Sequence, residues 1–406
     1  MTMCGDSSVG SHRMPFRNIS ILLVCQLISA TGSIVLVTLG GIIGSELTTI
    51  PAIATLPVSL MIVSVAATAI PATILMRRIG RKYGSALASL SAIASMLLAS
   101  YALHLRSFAG FAAAAAIFGI NMAFTQQYRY AAAESVPPKY AARAISFVLL
   151  GAIGGAIVGP VLVDVGHFII DGVPYAGTLV ACAVLYVGQA VLFLFLGPLR
   201  GEEQVAGRRE SRTLRTIVAQ PVFLVAVLGG TVAYGVMSLI MTATPISMHM
   251  NDGFTLTETA NVIRWHVLGM YVPSLVSGFL IDWQGPSRIM AAGATGLTVA
   301  SVIGLSGHSL MHYWWALVLL GVGWNFLYVG ATTLLTRTYF MSERFRAQAV
   351  NEFSVFGVTA AASLLAGTSM HFFGWDVALL MPLPLLAMIF IGIFIVRRVS
   401  PVVPAS

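Results

Sequence analysis

Charge is what this sequence has least of. Asp, Glu, Lys and Arg make up 9% of its 406 residues, where a soluble domain carries about a quarter. A chain so poor in charge cannot cover itself in water, and its mean hydropathy of +0.90 agrees. Cysteine is scarce too, with only Cys4, Cys25 and Cys182. They follow no paired or metal-ligand spacing, so they read as small buried hydrophobes rather than a disulfide framework. The phosphate-binding pattern G-x-x-x-x-G-K-[ST] does not occur, which excludes an ATP-driven pump on this chain. A nucleophile with its base, a carboxylate pair and a metal cluster are also missing, so neither an enzyme nor a cofactor is expected.

What the sequence has instead is apolar runs of about twenty residues, the length a helix needs to cross a bilayer. The run from Val377 to Val396 holds no charged residue at all. Such runs are continuous rather than alternating, which excludes a β-barrel. The apolar stretch after Arg13 and Arg17 is too long for a signal-peptide core, so it reads as a retained first span. Spans are expected near 19–44, 51–76, 84–104, 108–128, 144–165, 175–197, 217–241, 259–281, 289–307, 313–335, 348–370 and 376–396. The one long polar break, 200–215, divides them six and six. The expected fold class is an all-α membrane protein of twelve transmembrane helices in two six-helix bundles. Its parts are a tail at 1–18, a bundle at 19–199, a loop at 200–215, a bundle at 216–397 and a tail at 398–406.

The basic residues orient this array. Of 22 Lys and Arg, all but Arg106 and Arg264 fall on the side that an even span count assigns to the termini. Positive loops stay inside, so both termini are expected in the cytoplasm, with the protein in the inner membrane. The net charge of +8 is then a topology signal and not a nucleic-acid footprint.

The two halves also echo each other. After the second span come Thr73, Arg77, Arg78, Gly80, Arg81 and Lys82; after the eighth come Gly278, Asp282, Trp283, Gly285 and Arg288. The offset from Gly80 to Gly285 also carries Lys139-Tyr140 onto Arg344-Phe345. Repeated halves with a site at their interface are a transporter architecture. Six plus six spans, a long central loop and a G-x-x-x-D-[RW]-x-G-type loop after the second span of each half resemble the major facilitator superfamily over essentially the whole chain. The second copy matches well; the first has Thr73 and Arg77 where the family has Gly and Asp.

That resemblance implies a cytoplasmic latch formed by Arg78, Gly80, Arg81, Asp282, Gly285 and Arg288. Asp282 and Arg288 are expected near Lys139 and Arg143, at the start of the fifth span. Arg77 or Arg78 is expected to pair with Glu343 or Glu352. The fifth span carries Gly151, Gly155, Gly159 and Pro160, a smooth face that suits close packing and partly resembles the fifth-span motif of proton-coupled antiporters. Export is favoured on that ground.

In this family the first, fourth, seventh and tenth spans line the cavity, and each carries a polar stripe at helical spacing. The stripes are Gln26, Ser29 and Ser33; Asn121, Thr125, Tyr128 and Arg129; Thr231, Tyr234, Ser238 and Thr242; and Asn325, Tyr328, Thr332 and Thr336. Asn325 with Trp324 and Tyr328 leads the candidates, because a mid-bilayer amide is costly without a partner. Gln126 and Arg129 follow on the fourth span, and Arg129 either anchors beside Glu134 or meets the substrate. Arg264 faces the cavity or pairs with Asp252 or Glu258. Proton-coupling candidates are Glu46, Asp164, His266 and Glu352. His308 and His312 stand four apart across a loop-like break, and no tight ligand spacing supports a metal site. The resulting expectation is a monomeric secondary transporter of a small organic molecule. Proton-coupled efflux is favoured, with an uptake symporter or a facilitator as the alternative.

Overall fold

The computed structural model describes residues 16–199 and 211–398, apart from 51, 52, 54, 55, 167–169 and 171. Most of the expected tails 1–18 and 398–406 (residues 1–15 and 399–406), the segment 200–210 of the expected loop, Cys4 and His167 lie outside the described residues. Within them the chain is helix and turn, with no strand.

The first half comprises α1 (Phe16–Leu47), α2 (Leu56–His104), α3 (Phe108–Thr125), α4 (Tyr128–Glu134), α5 (Ala141–Leu149), α6 (Gly151–Gly166) and α7 (Ala176–Leu194). A short α8 (Leu214–Val218) opens the second half. It continues with α9 (Pro221–Pro245), α10 (Leu256–Tyr271), α11 (Ser274–Gln284), α12 (Pro286–Leu305), α13 (Leu310–Leu335), α14 (Arg344–Leu380) and α15 (Leu383–Arg398). Local signals set several boundaries. Ser107 caps α3 by accepting from Gly110 N, and Thr255 with Glu258 forms a reciprocal capping box on α10.

Two of these helices double back. In a straight helix Met76 and Gly84 would stand about 12 Å apart, yet a Cβ on Gly84 would lie 3.6 Å from Met76 Cα. The chain reverses at Gly80, whose φ of 81° and ψ of 163° suit glycine alone. Gly285 adopts nearly the same geometry, with φ 84° and ψ 154°, so the two copies of the loop motif turn the chain alike. Likewise α14 folds over at Gly374 and brings Ser369 Oγ within 3.7 Å of Met381 Sδ. Nine helical stretches among the described residues are long and apolar enough to cross a membrane. The expected eighth span corresponds to α10 and α11, interrupted around Pro273, and the expected eleventh to the first part of α14.

Two apolar cores lie within the first half, and the core of the second half runs on into Tyr130, Ala141, Ala142, Ile145 and Leu149 of the first. The fifth-span glycines are used in one of them: a Cβ on Gly151 would lie 2.4 Å from Leu23 O, and one on Gly155 2.5 Å from Ala30 Cβ. That face is the seat of α1, which accounts for the pattern whatever the direction of transport. The halves meet mainly at the end that holds Phe16 and Arg398, here termed the terminal end. There α11 packs on α5 and α14 packs on α2, while α10 and α6, the continuations of the first pair toward the far end, scarcely touch. Gly278 permits the approach, since a Cβ there would lie 2.7 Å from Arg143 Cα.

Candidate substrate site

Three layers of polar contacts close the terminal end. At the rim, Arg143 Nε lies 2.5 Å from the Asp282 carboxylate, and Ser146 and Ser277 hydroxyls are 3.2 Å apart. Deeper in, Arg81 turns away from its loop and is buried. Its Nε donates to Glu134 at 2.8 Å, and its Nη2 donates to Glu134 at 2.6 Å and to Gln348 of the other half at 2.7 Å. The bidentate geometry and the Phe345 ring 5.1 Å from the guanidinium offset some of the cost of burying the pair.

The innermost layer is the ion pair of Arg129 on α4 and Glu352 on α14, both almost wholly buried. Arg129 Nη2 donates to Glu352 Oε1, which also accepts from Tyr130 OH at 2.8 Å and Asn351 Nδ2 at 3.0 Å. Gln126 Oε1 accepts from Arg129 Nη1 at 3.2 Å.

Directly above this pair stands a cluster of aromatic rings. The Arg129 guanidinium lies 4.5 Å from the Tyr328 ring centre, which stacks on Trp324 at 4.9 Å and 22°. Tyr234 meets Trp324, Tyr328 and Phe356 edge to face at 5.2, 4.9 and 5.3 Å, and Tyr271 meets Trp324 at 5.8 Å. Trp324 is about 16 Å along α13 from its terminal end at ~1.5 Å per residue, near the middle of a hydrocarbon layer roughly 30 Å thick. Arg129 pairs with Glu352 beside the cluster, and Glu134 farther out is shared by Arg81 at 2.6 Å and Arg344 at 3.6 Å.

Of the expected cavity residues, the structure thus brings together Gln126, Arg129, Tyr234, Trp324 and Tyr328. The others stand elsewhere. Asn325 commits its Nδ2 to Met270 O and Ser274 Oγ, both at 2.7 Å, and so ties α13 to the break between α10 and α11. Asn121 donates to Ala88 O at 2.9 Å and ties α3 to α2. Gln26 lies against Gly151. Ser29, Thr125 and Tyr128 join Gln189 of α7 in a buried network inside the first half. Arg264 is exposed and has no ion pair among the described residues; Glu258 is committed to its capping box and Asp252 to Tyr313 and His308.

The latch also differs in part from expectation. Arg77 and Arg78 are exposed. Glu343 pairs instead with Arg212 at 2.7 Å and Glu352 with Arg129, because the reversal at Gly80 turns Arg81 inward and leaves Arg77 and Arg78 outside. Asp282 does meet Arg143, whereas Arg288 is exposed. Of the proton-coupling candidates, Glu46 and Asp164 are exposed, and His266 is buried with Nδ1 2.8 Å from Leu317 O. Only Glu352 lies at the junction. Sequence reasoning missed Tyr130, which follows Arg129 on α4, and Gln348, Asn351 and Phe356, whose signal is a polar and aromatic face at the start of α14.

The fold is that of an all-helical, multi-pass membrane carrier. The sequence profile of the Major Facilitator Superfamily matches residues 22–339, and this chain belongs to that superfamily: it is a transporter of small molecules and not an enzyme. It is 35% identical over 386 residues to the riboflavin transporter RfnT of Brucella anthropi, covering 95% of this chain and 96% of that one. Its fold is similar to the human organic anion transporter MFSD10, with a TM-score of 0.77 at 13% identity over 94% of this chain and all of that one. FucP in its outward conformation gives 0.71 at 16% identity over 93% and 99% of the two chains.

Proposed function

We propose that this chain carries riboflavin, or a closely similar flat and uncharged heteroaromatic compound, across the cytoplasmic membrane by alternating access. The observation that carries the reading is the mid-bilayer cluster of Tyr234, Trp324, Tyr328, Tyr271 and Phe356 above a charge-matched floor. Rings of this kind hold flat π-systems by stacking and edge contacts worth about 0.5–1.5 kcal/mol each. Similarity to a riboflavin transporter, 35% identical along nearly the full length, supports the same solute class.

The proposal includes twelve spans with both termini cytoplasmic, from the Lys/Arg bias of the loops. The terminal end is then the inner gate, and the described state is closed inside. Glu352 is the proposed proton acceptor: taking up a proton removes its charge, releases Arg129 and frees the floor to part. The proposal sets no direction, because the glycine face that suggested export is used in packing on α1. A single chain holds both lobes and the site between them, so the functional unit is proposed to be a monomer.

The test is riboflavin flux in proteoliposomes, followed by flavin fluorescence in both directions with and without a pH gradient. Saturable riboflavin flux that the gradient accelerates is expected, with flavin mononucleotide excluded because its phosphate brings an unmatched charge to a neutral site. Riboflavin flux no greater than in protein-free liposomes, from folded protein, would overturn the reading.

A further inference from the structure

Two antiparallel spans join the halves at the terminal end, and the same two run on to the far end. One is α5 with α6, where Leu150 between them keeps helical dihedrals (φ −59°, ψ −25°). The other is α10 with α11, where Val272 (φ −58°, ψ −40°) and Pro273 (φ −60°, ψ −17°) do the same. At the terminal end Arg143 meets Asp282 at 2.5 Å, and the Ser146 and Ser277 hydroxyls stand 3.2 Å apart. These contacts fix which face each span turns to the other half.

Helical period carries those faces outward. Asp164 lies 18 positions after Ser146, and Arg264 lies 18 positions before Asp282; 18 residues make about five turns. Asp164 is the one acidic residue of α6, and Arg264 the one arginine of α10. In the register that sets Ser146 opposite Ser277, Asp164 falls level with Thr259, about 7.5 Å along the helix from Arg264. Side chains of a helix lean toward its N-terminus. On antiparallel spans Asp164 and Arg264 therefore lean toward each other, and the long arginine covers the gap. In the described state α6 and α10 scarcely touch, both side chains are exposed, and neither joins an ion pair among the described residues. An arginine inside a span needs a partner or water. Arg264 lines an open cleft of about 460 Å³ with Thr257, Glu258, Ala260 and Asn261. Glu258 is held by Thr255 in the capping box, and α13, which also packs on α10, has no acidic residue.

We infer that Asp164 and Arg264 pair when the far end closes, as the outer counterpart of Arg143 and Asp282 on the same two spans. The polarity is reversed: the first half supplies the cation at the terminal end and the anion at the far end. As the halves rock, this seam exchanges one ion pair for the other. Arg264, which breaks the basic bias of the loops, then serves closure rather than orientation. The inference rests on the alternating-access reading above and adds the residues that close the outer side.

The experiment is a charge swap read in two ways. Riboflavin flux in proteoliposomes is measured for Asp164→Arg, for Arg264→Asp and for the two together. Both positions are exposed, so the packed cores stay intact. Each single variant sets like charges against each other at closure and is expected to slow flux about 10-fold. The double variant restores an opposite pair and is expected to recover most of the wild-type rate. The second reading needs no substrate. Spin labels at His104→Cys and Ser306→Cys, exposed positions on the two halves at the far end, report its closure. The background lacks native cysteines and carries Gly278→Val, which holds the terminal end apart. The short-distance population is expected to fall about 10-fold in each single variant and to return in the double. Unchanged distances in the single variants, no recovery in the double, or a far end that stays apart in every form would each overturn the pair. Absence of wild-type riboflavin flux with the distance pattern intact would instead remove the solute reading and leave the pair standing.

Discussion

Replacing Arg129 by Met leaves Glu352 charged and almost wholly buried, with only Tyr130 and Asn351 still donating to it. Breaking a buried pair on one side costs about 3–5 kcal/mol, whereas replacing both partners by apolar groups is often neutral. Because Arg129 belongs to α4 and Glu352 to α14, the cost falls on the state in which the halves are closed at the terminal end. A penalty near 3 kcal/mol shifts the closed-to-open ratio by roughly 100-fold. Spin labels at Lys139→Cys and Trp283→Cys, exposed positions on the two halves at that end, report the shift as a lengthened distance distribution in a background without native cysteines. Arg129→Met and Glu352→Met should each move the population toward the open state, and the double variant should recover most of the closed one. If either single variant leaves the distribution unchanged, or the double behaves as the sum of the singles, the pair does not hold the halves together.

Gly278→Val places branched carbon where even a Cβ would lie 2.7 Å from Arg143 Cα and 2.9 Å from Ala142 O. Flux should be abolished with normal membrane insertion, and the same labels should show a terminal end that no longer closes; normal flux would refute the close approach. The Arg212–Glu343 pair predicts a pH effect at the start of α14. Burial opposes ionisation of Glu343, but hydrogen bonds from the Arg212 side chain and from the Phe340 and Arg212 amides outweigh it and hold the carboxyl below its ordinary value. A carboxyl with a folded-state pKa below the unfolded one adds stability above the unfolded value, and that stability is lost as pH falls through the folded value. Arg212→Met should therefore lower the melting temperature at neutral pH, and the gap from wild type should narrow on acidification. A gap that stays constant down to pH 3 would remove the pair from the account.

The membrane class was legible because hydrocarbon imposes its terms on composition: about twenty apolar residues per helix and backbone groups satisfied within it. The turn at Gly285 was equally legible, since only glycine holds φ 84° with ψ 154° without strain, and the family resemblance anticipated the Asp282–Arg143 contact. The stripes on the fourth, seventh and tenth spans contained three of the residues at the junction, Arg129, Tyr234 and Tyr328, with Gln126 and Trp324 beside them in sequence. A stripe gives the face of a helix but not its partner. The same spacing that marks Tyr328 also marks Asn325, which serves α10 and α11, and Ser29, which serves α7.

Partner choice was decided only in three dimensions. Arg129 and Glu352 are 223 positions apart, and Arg81 and Gln348 are 267 apart. No local propensity selects Arg81 over Arg77 or Arg78 for burial; the reversal at Gly80 and the approach of α14 do. The sequence by itself determined a helical membrane protein with repeated turns and a basic bias at one side, because those properties follow from the solvent and the local backbone. The tertiary structure alone decided which charges neutralise each other and which rings gather at mid-bilayer, because a charge leaves water only where a partner from a distant helix is already in place.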